Sequence, residues 1–142
     1  MGMIAADRKD LTGLGGAIAG LGTPVQPDLR ADTLELVGRQ RLLEGKPDAA
    51  LPILIETADL RRETKDYSGM ARALAFAGEA AQSTGRAVEA ADLFLRAGRS
   101  AAQQPDRRDA KAWLERAVAL ATRTDREDIA DAAREQIAKL SD

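Results

Sequence analysis

The chain has 142 residues, 44% hydrophobic and 31% charged, the composition of one folded domain rather than of two or of a disordered tail. Its 21 basic and 23 acidic residues leave a net charge of -2, so no bulk positive field exists to hold a nucleic-acid backbone or an anionic membrane. It contains no Cys, no His and no Asn, which excludes disulfides, thiolate or imidazole metal sites, thiol nucleophiles and the commonest acid–base group. With four aromatic residues (Tyr67, Phe76, Phe94, Trp113) and 29 Ala, the core has to be built from small side chains and closely approaching backbones, which favours packed helices.

Residues 1–27 read as a flexible Gly-rich lead-in to a folded domain over 28–142. The stretch Leu11 to Pro27 has no charge, and its five glycines between residues 11 and 22 disfavour both helix and strand. It is too short and too rich in Gly for a membrane span, which needs about 20 mostly apolar residues. Gly15 to Gly20 has the spacing of a phosphate-binding loop, but Leu21 stands where that loop needs lysine. A tether to a membrane after a removed signal and a start altered for expression both remain open for this segment.

Beyond it, apolar periodicity predicts six helices, at about 28–44, 47–64, 67–84, 86–104, 107–123 and 125–140. Leu34, Val37, Gly38 and Arg41 mark the first. Gly45 reads as its C-terminal cap, and Pro47 suits the first turn of the second helix, where a missing N–H costs nothing. Pro52, further along that helix, is expected to remove one hydrogen bond and bend the first turns. Leu74, Ala77, Gly78 and Ala81 mark the third helix, Gly85 its cap, and Ala90, Ala91, Phe94 and Ala97 the fourth. In the last pair, Leu114 and Ala117 mark the fifth helix, and Thr124 with Glu127 reads as a capping box opening the sixth.

These elements repeat at a spacing of 40 residues, in copies at about 31–66, 67–105 and 106–142. Leu34, Leu74 and Leu114 align, as do Ala50, Ala90 and Ala130; Gly38 matches Gly78, Gly45 matches Gly85, and Leu54 matches Phe94. The third copy is looser, with Val118, Asp125 and Arg134 in the two Gly columns and the Leu/Phe column. Small residues such as Gly38 and Ala50 remove bulk where two antiparallel helices cross, so the axes approach to about 8 Å. One such pair buries too little apolar surface to stand alone, so neighbouring pairs must stack, with Leu54 and Phe94 expected to share faces between them. Arg134 then fits the end of an array.

The columns Leu34, Val37, Gly38, Gly45, Ala50, Leu54 and Thr57, then Leu74, Ala77, Gly78, Gly85, Ala90, Phe94 and Ala97, resemble the tetratricopeptide repeat (TPR) pattern. The resemblance covers residues 31–140. It departs from that pattern in its period of 40 rather than about 34 residues, in lacking the usual aromatics, and in a terminal proline displaced to Pro105. It implies an all-α, TPR-like solenoid of three antiparallel helix pairs forming a right-handed superhelical arc. The resemblance further implies that the first helix of each pair lines a concave groove through Asp32, Glu35, Arg39 and Leu42, then Arg72, Ala75, Glu79 and Gln82, and finally Ala112, Glu115, Ala119 and Thr122. That set is mixed in charge and would suit a peptide or amphipathic helix. The family's clamp for chaperone C-termini uses asparagines, so the absence of Asn argues against that activity.

Three side-chain groups have plainer readings. The carboxylates of Asp125, Glu127, Asp128 and Asp131 could hold a divalent cation, but acidic residues in a first helical turn answer the helix dipole without one. Arg61, Arg62 and Lys65, and Arg107, Arg108 and Lys111, read as solvated helix surface. Trp113, one place from the core column, reads as a core plug of the last pair, with an exposed interface anchor as the alternative.

The expected function is that of a non-enzymatic, protein-binding adaptor or scaffold, with no catalytic, cofactor or metal residues, no nucleic-acid partner and no direct membrane span. Homodimerisation through the C-terminal helix pair is a secondary expectation. The alternative is a tethered assembly factor of a bacterial envelope. The cytoplasm, and the periplasm or envelope if the lead-in is a tether, both remain open as its location.

Overall fold

The computed structural model describes residues 26–140, all of whose regular elements are helical: α1 (Pro27–Leu43), α2 (Pro47–Glu63), α3 (Tyr67–Ser83), α4 (Ala87–Ala102), α5 (Ala110–Arg123) and α6 (Glu127–Leu140). The Gly-rich lead-in lies outside the described residues. Within them, no helix is long and apolar enough to cross a membrane.

The first four helices begin 20 residues apart, and α6 falls on the same count. A recurring turn sets that spacing. After α1, the N–H of Lys46 donates to Arg41 O (2.8 Å) and that of Gly45 to Leu42 O (3.0 Å). This is the Schellman pattern, which satisfies the last carbonyls of a helix and needs one residue with positive φ. The same bonds recur as Asp66 to Arg61, Arg86 to Ala81 and Arg126 to Ala121, each 2.8 Å. The left-handed residues are Gly45 (φ 75), Lys65 (φ 61), Gly85 (φ 81) and Asp125 (φ 59).

One position breaks the count. The next left-handed residue would be residue 105, and it is Pro105, whose ring holds φ negative. No three-residue turn forms there. Instead α4 stops at Ala102 and α5 starts at Ala110, so the expected helices 86–104 and 107–123 are both shortened around a loop at 103–109. A second expectation also shifts. The Thr124 hydroxyl donates back to Leu120 O (2.9 Å), which makes Thr124 the C-cap of α5 rather than the start of a capping box for α6. The cap that does form is at α3, where the Gly69 N–H donates to Asp66 Oδ1 (2.9 Å). Pro52 is exposed, and α2 runs on through it to Glu63.

Each helix packs chiefly on the one before it and the one after it, so three antiparallel pairs stand side by side in an open arc. The first helices form one layer: the Arg72 Nε–H of α3 donates to Glu35 Oε2 of α1 (3.0 Å), and Arg116 Nη2 of α5 donates to Gln82 Oε1 of α3 (2.7 Å). The core is mostly Ala and Leu, with Phe94, Leu54, Leu74 and Leu114 as its largest fully buried apolar side chains.

Glycines act in it as sockets. A Cβ on Gly38 would lie 2.7 Å from Leu54 Cδ2, and one on Gly78 would lie 2.9 Å from Phe94 Cε2. Leu54 and Phe94 therefore seat within their own pairs, not only between pairs. The fit between pairs is Gly98 of α4 on Leu114 of α5, where a Cβ would come within 2.5 Å of Leu114 Cγ. In the third pair socket and knob are lost together. Val118 occupies the glycine column, and the matching Arg134 is exposed and paired with Asp131 (3.0 Å).

Candidate functional site

The layer formed by α1, α3 and α5 carries all of the residues expected to line a groove, but they differ in exposure. Asp32, Arg39, Arg72, Ala112, Glu115, Ala119 and Thr122 are exposed, while Leu42, Glu79 and Gln82 are half-buried. Glu35 and Ala75 are buried and present almost no surface to a partner.

Glu35 is the hub of an ion network that ties the first two pairs together. Arg72 grips it bidentately, with Nε on Oε2 (3.0 Å) and Nη2 on Oε1 (3.2 Å). Arg61 of α2 reaches it at 3.4 Å and also donates to Asp32 Oδ1 (2.7 Å). Arg61, expected on solvated surface, is buried; Arg62 and Lys65 beside it are exposed. Burial opposes the charge on Arg61, but hydrogen bonds and attraction from Asp32 and Glu35 outweigh it and raise the guanidinium pKa above its ordinary value. Arg61 Nε is left without a partner, the one such buried side-chain atom among the described residues.

Two arginine–aromatic contacts extend this frame. Arg39 lies 4.9 Å from the centroid of Phe76, crossing from α1 to α3. Arg116 lies 4.2 Å from the centroid of Phe94 and 3.6 Å from Glu79 Oε2, crossing from α5 to the second pair. Neither Phe76 nor Arg116 was among the expected groove residues. Their signal was available: Leu36, Phe76 and Arg116 form one column of the 40-residue repeat. In the second and third copies that column meets the preceding pair. In α1 no described pair precedes it, and Leu29, Leu36 and Leu43, spaced by seven, are 60%, 68% and 90% exposed. Among the described residues, the five large exposed apolar side chains include these three and none from α6, whose Ile137 and Leu140 are half-buried.

Between the starts of α3 and α5, beside the 103–109 loop, lies a cavity of about 200 Å³. Buried Ala71 and Ala101 and half-buried Trp113 supply its apolar surface; Asp106, Asp109 and Arg72 are its charged lining. Trp113 is thus partly in the core and partly open. Asp106 is held by Arg108, which donates Nη2 to Oδ2 (2.7 Å) and Nε to Oδ1 (3.0 Å); these bonds lower the Asp106 pKa to about 2. The acidic group at the start of α6 is engaged by arginines: Arg126 on Asp128 (2.9 Å), and Arg134 on Asp131 and Glu127.

Comparison with protein-family models, curated proteins and solved structures found no match to this chain.

Proposed function

We propose that the chain is a TPR-like helical-repeat module that binds another protein, taking a peptide or an amphipathic helix along the layer of α1, α3 and α5. The observation that supports this most is the division of labour in that layer. Glu35, Arg61 and Arg72 pin the helices to one another, while Asp32, Arg39, Gln82 and Glu115 keep surface on the same side. A frame set before binding lowers the ordering cost of association, and mixed exposed charges then select the partner. The repeat columns and the stacked helix pairs support the reading as a helical repeat.

The test is affinity capture from the native host with wild type and a double variant, Glu115→Arg and Ala119→Glu, exposed positions of α5 that take no part in the Glu35 network. Loss of a discrete partner with an unchanged melting curve is the expected result. Equal capture by both proteins would remove the groove from consideration.

A further inference from the structure

We infer that the cavity beside Trp113 is a socket for one basic side chain, a lysine or arginine, of the bound polypeptide. This deepens the groove proposal and rests on it. The cavity exists because Pro105 refuses the left-handed conformation on which the other turns depend, so the chain departs from its own rule at the place where the hollow forms. At about 200 Å³ it is smaller than the roughly 300–1,000 Å³ of sites for cofactors and drug-sized molecules, and matches a single side chain.

Its lining is mixed, with Ser68, Gln104 and Arg72 beside an apolar and an acidic group. Ala71, Ala101 and Trp113 offer apolar surface, and Asp106 and Asp109 offer carboxylates. A lysine or arginine has that same profile, an aliphatic stem and a charged head, and its head gains further from an indole face. Asp109 and Trp113 stand one helical turn apart, linked by the Trp113 N–H to Asp109 O bond (3.1 Å), so their side chains share a face of α5.

The charges present favour a cation over an anion. Arg72 is the only cation in the lining, and its Nε and Nη2 are already committed to Glu35. Asp106 has Arg108 as its partner, and that arginine is 86% exposed, on the solvent side. Asp109 occupies the N-cap position of α5 without accepting a cap hydrogen bond, and it forms no ion pair among the described residues. It is the carboxylate of the lining that makes no ion pair within 4 Å among the described residues, although the Arg108 charge is near enough to act on it.

Trp113 is the only indole in the sequence, so its emission reports on this cavity directly. The experiment titrates the full chain with N-acetyl-arginine amide and N-acetyl-lysine amide, with N-acetyl-glutamate amide as the anionic control. A saturable change in emission is expected with either cation, with a dissociation constant on the order of 1 mM, as a single-side-chain ligand allows. Asp109→Asn, an exposed substitution that removes no cap bond, should weaken it about tenfold or more at an unchanged melting temperature. No saturable response to either cation, an equal response from Asp109→Asn, or a stronger response to the glutamate amide that depends on Arg72 would each overturn the assignment. The two readings fail separately: a silent cavity in a chain whose groove variant still loses its partner removes only the socket.

Discussion

Gly38, Gly78 and Gly98 each face a side chain that has nowhere to go. Alanine is the better helix former by about 1 kcal/mol, but inserting a methyl into a packed contact costs about 1–3 kcal/mol. Steric cost should win most clearly at Gly98, where Leu114 Cγ would lie 2.5 Å from the new methyl and the Ala110 carbonyl 3.2 Å. We expect Gly98→Ala to lower unfolding stability by about 1–2 kcal/mol, with much of the loss recovered in a Leu114→Val background. Denaturant titration of the single and double variants checks this, and additive losses would count against the socket description. Glu35 poses the electrostatic counterpart. Glu35→Ala leaves buried Arg61 with only Asp32 and Asp66, so a loss of about 2–3 kcal/mol is expected, below the range for a fully isolated buried charge. Arg39→Ala removes a contact with Phe76 and a 3.9 Å pair with Glu35 from a half-exposed side chain, so a smaller loss of about 0.5–1 kcal/mol is expected. Asp106 makes a pH prediction. Its folded pKa lies below the ordinary 3.8, so its pairing with Arg108 contributes fully above that value and is lost as pH falls towards about 2. Carbon-13 titration of the carboxyl should find the low value in wild type and an ordinary one in Arg108→Ala.

At the scale of the helix and its turn, the recurring unit is 17 helical residues and three of turn, seen without change from α1 to α3. Two of its four left-handed positions are filled by residues that strain there, Lys65 and Asp125. Lys65→Gly should stabilise the protein by about 0.5–1 kcal/mol, the relief of left-handed strain less the extra entropy of glycine in the unfolded chain. Asp125→Gly should gain less, since a short polar side chain tolerates that conformation better. A thermal melt that fell for both variants would mean that these side chains make compensating contacts. The helix positions and the Gly45 and Gly85 caps were legible from periodicity and composition, because both are local properties. The turns at Lys65 and Asp125 were not. Lysine does not signal positive φ, so only its place in the 20-residue count explains Lys65; Asp125 stood in the glycine column of the repeat, but that place did not by itself mark a turn.

For the whole molecule, the arc has unlike ends. Behind α6, Arg134 replaces the apolar knob and makes ion pairs on the surface, as the end of a stack requires. At α1 the column that elsewhere meets a preceding pair is leucine and exposed. Leu29→Gln, Leu36→Gln and Leu43→Gln should each change stability by less than about 0.5 kcal/mol and raise solubility. A larger loss of stability in a melt would mean that these leucines are covered in solution. The sequence alone was enough to determine that the chain is helical and that it repeats in pairs, since these follow from local preference and spacing; that the glycine columns seat Leu54 and Phe94 within a pair was decided by the packing. It could not say which polar residues of the first helices face a partner and which face one another. Glu35, Arg61 and Arg72 come from three helices, and their convergence is a product of how the pairs stack, which no single helix encodes. The cavity at Trp113 was hidden for the same reason: Pro105 marks a break in the chain, but only packing of α3, α4 and α5 around that break decides whether it closes or leaves a hollow.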